Sequence, residues 1–146
     1  MSKKAFALTA GDRPRALNIV GERITVLASK QVTEGYEIFL QEGDEGTGPP
    51  PHRHDWDESF FVIEGAIDFG IGDEQTTAQA GTLVHLPAGT VHWFRFGRGG
   101  GRMLSMTGES SGAAAFFTDC DRVIPDGSPD LEKLGAVADR HSVRFT

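Results

Sequence analysis

"PPPHRHDWDESFFVIEG", Pro49 to Gly65, decides how the rest of the chain is read. Three prolines lead into two histidines one residue apart, a glutamate follows four positions later, and an apolar run then stops at a glycine. In a strand, side chains at i and i+2 project to one face. His52 and His54 therefore lie together, and Glu58, Phe60 and Val62 keep that parity if no bulge intervenes. Two imidazoles and a carboxylate turned into an apolar interior are costly unless partnered. A divalent metal ion removes the cost, because it takes neutral imidazole nitrogens and an ionised carboxylate as ligands. The prolines narrow the chain's freedom before such binding. On these residues alone, an exposed histidine-rich loop is the competing interpretation.

A second segment, "AGTLVHLPAGTVHWFRF" (Ala80 to Phe96), repeats the theme. A Pro-x-Gly turn at Pro87 to Gly89 precedes His92, and Phe94 and Phe96 share the parity of that histidine. Around these two segments, short runs rich in β-branched and aromatic residues recur, separated by Gly, Pro or Asp about every 8–12 residues. They include "RITVLAS", "GYEIFLQEG", "AIDFGIGDE" and "RMLSMTG". That spacing predicts an all-β sandwich or barrel. Hairpin turns are expected at Glu64–Gly65 and Gly72–Asp73, where the alternation breaks. "GRGGG" (Gly97 to Gly101) lacks the Lys-Ser/Thr of a phosphate loop and is read as a flexible hairpin loop. Helical signal is confined to the end. "SGAAAFFTDC" forms a short helix, and "SPDLEKLGAVADRH" a second one capped by Ser128, with Pro129 in its first turn and Leu131, Leu134 and Val137 against the outside of the β-body.

At 146 residues the chain fits one domain, with a barrel core over about 15–110 and a helical C-terminal tail over about 111–146. A domain of this size buries roughly 70% of its unfolded surface, enough to enclose a pocket. Net charge is −7 with no basic run, which suits neither nucleic-acid backbones nor anionic membrane surfaces. No apolar stretch approaches the roughly 18 residues that span a bilayer, and the N-terminus lacks a signal-peptide apolar region. Cys120 is the only cysteine, so an intrachain disulfide is excluded and the expected setting is the reducing cytoplasm.

The two segments resemble the paired motifs of the cupin family. Gly46, His52, His54, Glu58 and Gly65 stand at the intervals of the first motif, and Gly81, Pro87, Gly89 and His92 at those of the second. Phe96 occupies the position where the family usually carries Asn. Nine matches at fixed spacing are not chance. The resemblance implies a single-domain cupin jelly-roll β-barrel with short C-terminal helices. It also implies one divalent transition metal ion (Fe, Mn, Ni, Co, Cu or Zn) held by His52, His54, Glu58 and His92. Three imidazoles and one carboxylate leave two positions of an octahedral ion for a chelating substrate, or for a substrate oxygen plus dioxygen or water.

Together with the C-terminal "PDLEKLGAVADRHSVRF", the motif segments are similar to small cupins of the quercetin dioxygenase-like type. That likeness implies a dioxygenase acting on an enol, hydroxy-ketone or aromatic small molecule, with Glu58 as the catalytic proton acceptor. Phe60, Val62, Phe94 and Phe96 are then expected to line the substrate pocket. A non-redox metal-dependent cyclase or isomerase, and a binding cupin without turnover, are the alternatives. The family also implies a homodimer. Asp55 and Asp57 have the opposite parity to the ligands and are set aside. His85 is expected to be packed or on the barrel exterior, with a pocket or ligand-supporting role as the alternative, His141 at the end of the last helix, and Cys120 without nucleophilic role. Trp56 and Trp93 are assigned to packing away from the ligands.

Overall fold

The computed structural model describes residues 4–128 and 130–146. Its strands are β1 (Leu17–Ile19), β2 (Glu22–Ala28), β3 (Glu37–Gly43), β4 (His52–His54), β5 (Glu58–Ile71), β6 (Glu74–Gln79), β7 (Leu83–Leu86), β8 (His92–Thr107) and β9 (Val143–Phe145). Helices are α1 (Lys30–Thr33), α2 (Ala113–Val123) and α3 (Leu131–Arg140). The nine strands form one antiparallel sheet that runs β1-β2-β3-β8-β4-β9, with β5 joining β8 to β6 and β7. The sheet curls on itself, and the all-β jelly-roll architecture expected from the sequence is present.

The two long strands β5 and β8 organise the barrel. They pair from Glu58↔Thr107 to Ile71↔His92, so the start of each lies beside the end of the other. Alternation along β5 sends Phe60, Val62, Ile67 and Phe69 inward to full burial, while Phe61 and Ile63 face out. Gly72–Asp73 closes the β5–β6 hairpin, as expected.

Two other turn expectations are corrected. Glu64–Gly65 is no hairpin, because β5 continues through it with register shifts between Val62 and Glu64 and between Gly65 and Ile67. The Gly97–Gly101 run is likewise the kinked middle of β8, not a loop between two strands. The physical reason is backbone crowding: a side chain on Gly65 would run into the Gly100 carbonyl, and both glycines hold positive φ, +81° and +79°. Glycine here marks a bulge where strands bend, not a reversal.

The C-terminal segment departs further from expectation. Asp130, not Ser128, caps α3, its side chain accepting from the Lys133 N–H at 3.1 Å; Pro129 lies outside the described residues. Leu134 and Val137 are buried as expected, whereas Leu131 is exposed. β9 was not foreseen: it adds to β4 through His52↔Phe145 and His54↔Val143.

Two apolar clusters result. One fills the barrel with Phe60, Val62, Ile67, Phe69, Phe94, Phe96 and Met103. The other joins Ile24 and Phe39 of the sheet to Trp56, Phe116, Leu134, Val137 and Val143 under the helices. Phe96 is fully enclosed in the first, set edge-on to Phe94 with ring centroids 5.9 Å apart. Phe96→Asn leaves a void and strands a buried amide, so unfolding free energy should fall by about 3–5 kcal/mol in denaturant titration. A change under about 1 kcal/mol would mean that this ring is not part of the packed core.

Candidate metal centre

Three strands deliver the cluster. His52 and His54 occupy the ends of β4, Glu58 opens β5 and His92 opens β8. His52 and His92 are direct ladder partners across the β4–β8 pair. The two motif segments are also clamped by backbone. Gly89 N–H donates to the His54 carbonyl at 2.9 Å, and Ala88 N–H donates to Asp57 Oδ1 at 2.8 Å. Gly89 sits at φ +84°, which the turn after Pro87 demands and few other residues tolerate. Asp57 thus fixes the loop from outside, consistent with its exclusion as a ligand.

All three imidazoles are oriented in the same way. Nδ1 of His52 meets the Pro50 carbonyl at 2.8 Å, Nδ1 of His54 the Trp56 carbonyl at 3.1 Å, and Nδ1 of His92 the Thr90 carbonyl at 2.9 Å. A carbonyl only accepts, so each ring carries its proton on Nδ1, and the lone pair of a neutral ring is left on Nε2. One candidate ligand atom from each of His52, His54 and His92 falls within 4.8 Å of the other two. Glu58 Oε1 stands 3.1 Å from His54 Nε2 and 3.7 Å from His92 Nε2. His92 Nε2 is buried with no hydrogen-bond partner. Lone pairs converging on a carboxylate repel unless a cation or proton lies among them. The donor set, its shared tautomer and the orphaned nitrogen all fit a divalent first-row ion.

Protonation follows the same logic. Burial, assisted by the neighbouring His92, pushes the His52 imidazole down to about 3, which keeps it neutral and ligand-ready near pH 7. Burial by itself raises the Glu58 carboxyl, but a proton on the facing Nε2 of His54 and of His92 outweighs it and brings the group down to about 2; a cation among these atoms acts in the same direction. An unfolded chain would take up a proton on His52 near pH 6.5, well before the folded chain does. The metal-free protein should therefore be most stable above about pH 6.5 and lose stability as the pH falls towards 3. Glu58 adds to that loss from about pH 4.5 downwards. A melting temperature of metal-free protein that stays flat or rises from pH 7 to pH 4 would contradict this arrangement.

The cluster opens into a cavity of about 70 Å³. Its wall is mostly apolar: Ile19, Val20, Ile24, Trp56, Phe60 and Phe94 from the sheet side, and Phe116, Phe117, Leu134, Val143 and Phe145 from the C-terminal segment. Of the four expected pocket residues, Phe60 and Phe94 line it. Val62 and Phe96 are fully buried in the barrel core and do not line it. The tail does not simply cover the outside of the barrel; it closes the site.

Trp56 is also repositioned. It shares the face of His54 and stacks on that ring at 4.3 Å with an 8° tilt. Half-buried Trp93 does pack away from the cluster, its indole against Gly70. His85 is exposed and bonded to Ser59 at 2.8 Å, His141 pairs with Asp119 at 2.6 Å, and Cys120 is buried with its thiol pushed up to about 12 by burial and Asp119.

Two cavity residues went unnoticed in the sequence. Glu22 on β2 and Gln41 on β3 are 4% and 2% exposed, and Oε1 of each has no hydrogen-bond partner. Leaving such groups buried and unpaired costs about 1–3 kcal/mol each. Burial, then the nearby Glu58 charge, drives the Glu22 carboxyl well above the usual carboxylate range, favouring its neutral form. The signal was available: Glu22 shares the parity of Ile24, and Gln41 that of Phe39, each a polar residue in an apolar phase.

A curled antiparallel sheet with three histidines gathered at one cavity is the arrangement that the cupin-like motifs implied. Residues 39–105 match the cupin domain family Cupin_2. An uncharacterized protein of Streptomyces coelicolor is 33% identical over 91 residues, 62% of this chain and 82% of that protein. Quercetin 2,3-dioxygenase of Bacillus subtilis is 28% identical over 93 residues, 62% of this chain but 27% of the enzyme's length. Among solved structures, KdgF from a Halomonas species superposes with a TM-score of 0.69 at 15% identity, over 76% of this chain and 99% of that one. The polyketide cyclase RemF of Streptomyces resistomycificus gives 0.60 at 19% identity, over 74% and 80%. These structural likenesses show the fold. The chain belongs to the cupin superfamily.

Proposed function

We propose that this cupin is a single-domain, metal-dependent enzyme acting on a small organic molecule, as a dioxygenase on an enol, hydroxy-ketone or aromatic substrate. The observation that carries the proposal is the convergence of three identically oriented imidazoles and the Glu58 carboxylate at an aromatic cavity. His52, His54, His92 and Glu58 would hold the ion. When bound, a first-row divalent metal supplies Lewis-acid polarisation of a substrate oxygen and, if redox-capable, reactivity towards dioxygen.

The chain's own groups do the rest. Glu58, ionised beside His54, takes the hydroxyl proton of the substrate and holds it at Oε1 or Oε2. Trp56, Phe60 and Phe94 offer flat apolar surface that orients a planar molecule. The α2 and α3 side chains Phe116 and Leu134 limit water at the cavity wall. Similarity to quercetin 2,3-dioxygenase supports this reading, and the cyclase likeness supports the second: the same base and cavity serve cyclisation or isomerisation without oxygen.

Oxygen consumption by the metal-loaded protein with flavonols and 1,3-dicarbonyls tests the choice. Uptake matched to substrate loss supports the dioxygenase. Product formed without uptake moves the function to the non-redox class, and binding without any product leaves a binding module.

Two further parts of the reading concern setting and assembly. Among the described residues no helix is long and apolar enough to cross a membrane. The single buried cysteine suits a reducing cytoplasm. Phe61, Ile63 and Leu83 are exposed on the outer face of β5 and β7. A second copy covering that face makes a homodimer, and light scattering should return the mass of two chains; a single-chain mass at micromolar concentration rejects it.

A further inference from the structure

Buried polar atoms without partners are few among the described residues: Glu22 Oε1, Gln41 Oε1, Trp56 Nε1, His92 Nε2 and Thr107 Oγ1. Their placement is not random. Glu22, Gln41 and Trp56 all line the cavity, and His92 belongs to the histidine cluster. Native proteins satisfy nearly all such groups, so a concentration of exceptions around one cavity points to something that completes them there.

Glu22 and Gln41 stand apart from the metal ligands. They come from β2 and β3, whereas the ligands come from β4, β5 and β8. Gln41 pairs across the ladder with Ile24, two residues beyond Glu22 on the same face, so the two polar side chains are diagonal neighbours. The Gln41 amide is not free to turn: its Nε2 donates to Ser105 Oγ at 2.8 Å, inside the barrel wall. Oε1 is thereby presented as a fixed acceptor. The surrounding wall is Ile19, Val20, Ile24, Phe60 and Phe94, none of which can form a hydrogen bond through its side chain.

We infer that Glu22 and Gln41 form a second, hydrogen-bonding anchor of the ligand site, which recognises a hydroxyl group on an otherwise apolar molecule chelated at the histidine cluster. A hydroxyl is the matching chemistry, since it donates to Gln41 Oε1 and accepts from, or donates to, the Glu22 carboxyl. The inference rests on the metal-site reading above and deepens it: the ligand carries oxygens at one end for the metal and a separate hydroxyl for this wall. Glu22 and Gln41 touch ligand, not metal, and select which molecules are held.

Matched chelators that differ by one remote hydroxyl test this. The pairs are allomaltol with kojic acid, and 3-hydroxyflavone with 3,4′-dihydroxyflavone. Titration into protein loaded with Zn²⁺ gives dissociation constants without turnover. In at least one pair, wild type should bind the hydroxylated member about 5-fold or more tightly than its parent, the value of one net hydrogen bond. Glu22→Leu and Gln41→Leu should erase that advantage while leaving zinc content unchanged. Glu22→Gln, which keeps a donor and the side-chain shape, should restore much of it, and serves as the test should a leucine variant not fold.

No advantage in either pair, an advantage that survives in the variants, or equal weakening of parent and hydroxylated compound would each overturn the anchor while the metal site stands. Failure of every chelator to bind zinc-loaded wild type would overturn both readings, and zinc analysis of the same sample separates loss of the metal from loss of the ligand.

Discussion

His54→Ala should strip the metal from this protein. After loading with a first-row divalent ion and exhaustive dialysis, wild type is expected to retain close to one ion per chain, and the variant almost none. His54 is a buried member of the cluster, with Nε2 3.1 Å from Glu58 Oε1 and Nδ1 fixed by the Trp56 carbonyl. Groups that merely orient a ligand cost 10–100-fold in affinity when lost, so removing a ligand itself should exceed about 100-fold. His85→Ala is the control, because that ring is exposed and bonded to Ser59 on the barrel exterior. Its metal content should equal wild type. Elemental analysis decides the matter: equal metal in wild type and a folded His54→Ala protein would remove the histidine cluster as the site.

Glu58→Gln should separate holding the metal from turning over substrate. A carboxamide oxygen still coordinates, but it is a very poor proton acceptor at neutral pH. The variant is expected to keep its metal with weakened affinity and to lose about 10²–10⁴-fold in kcat, with KM much less affected. Wild-type kcat in metal-loaded Glu58→Gln would leave Glu58 a structural part of the cluster and no more. Loss of metal together with activity would assign it to coordination alone.

The site was the most legible part of the chain, and the physics of strands explains why. Side-chain direction in a strand depends only on parity, so the spacing of His52 and His54 put both on one face of β4, whereas Glu58 opens a separate strand after the bend at 55–57 and meets them through the fold. Phe60 and Phe94 followed by the same rule. Parity gives the face of a residue but not its depth. Val62 and Phe96 point inward as expected yet are enclosed in the barrel core without lining the cavity. The rule was also available for Trp56, whose position two residues from His54 places it on the shared face.

Turns were read less well where glycine serves two purposes. At Gly72 it reverses the chain, whereas at Gly65 and Gly100 it lets two backbones approach within a continuous bulged strand. Local sequence cannot tell these apart, since both need positive φ. What local sequence by itself determined was the all-β class, the cupin motifs and the shared face of His52 and His54, properties carried by spacing along single strands and turns; the meeting of His92 with them is a β4–β8 pairing across 40 residues. What only the tertiary structure decided was the long-range closure of the site. β9 pairs with β4 through Val143 and Phe145, residues about 90 positions from their partners His54 and His52. α2 and α3 fold back to wall the cavity with Phe116 and Leu134, and β2 and β3 bring Glu22 and Gln41 to its interior. Such contacts depend on which distant segments bury one another's apolar faces, a choice set by packing of the whole chain and not by any short pattern within it.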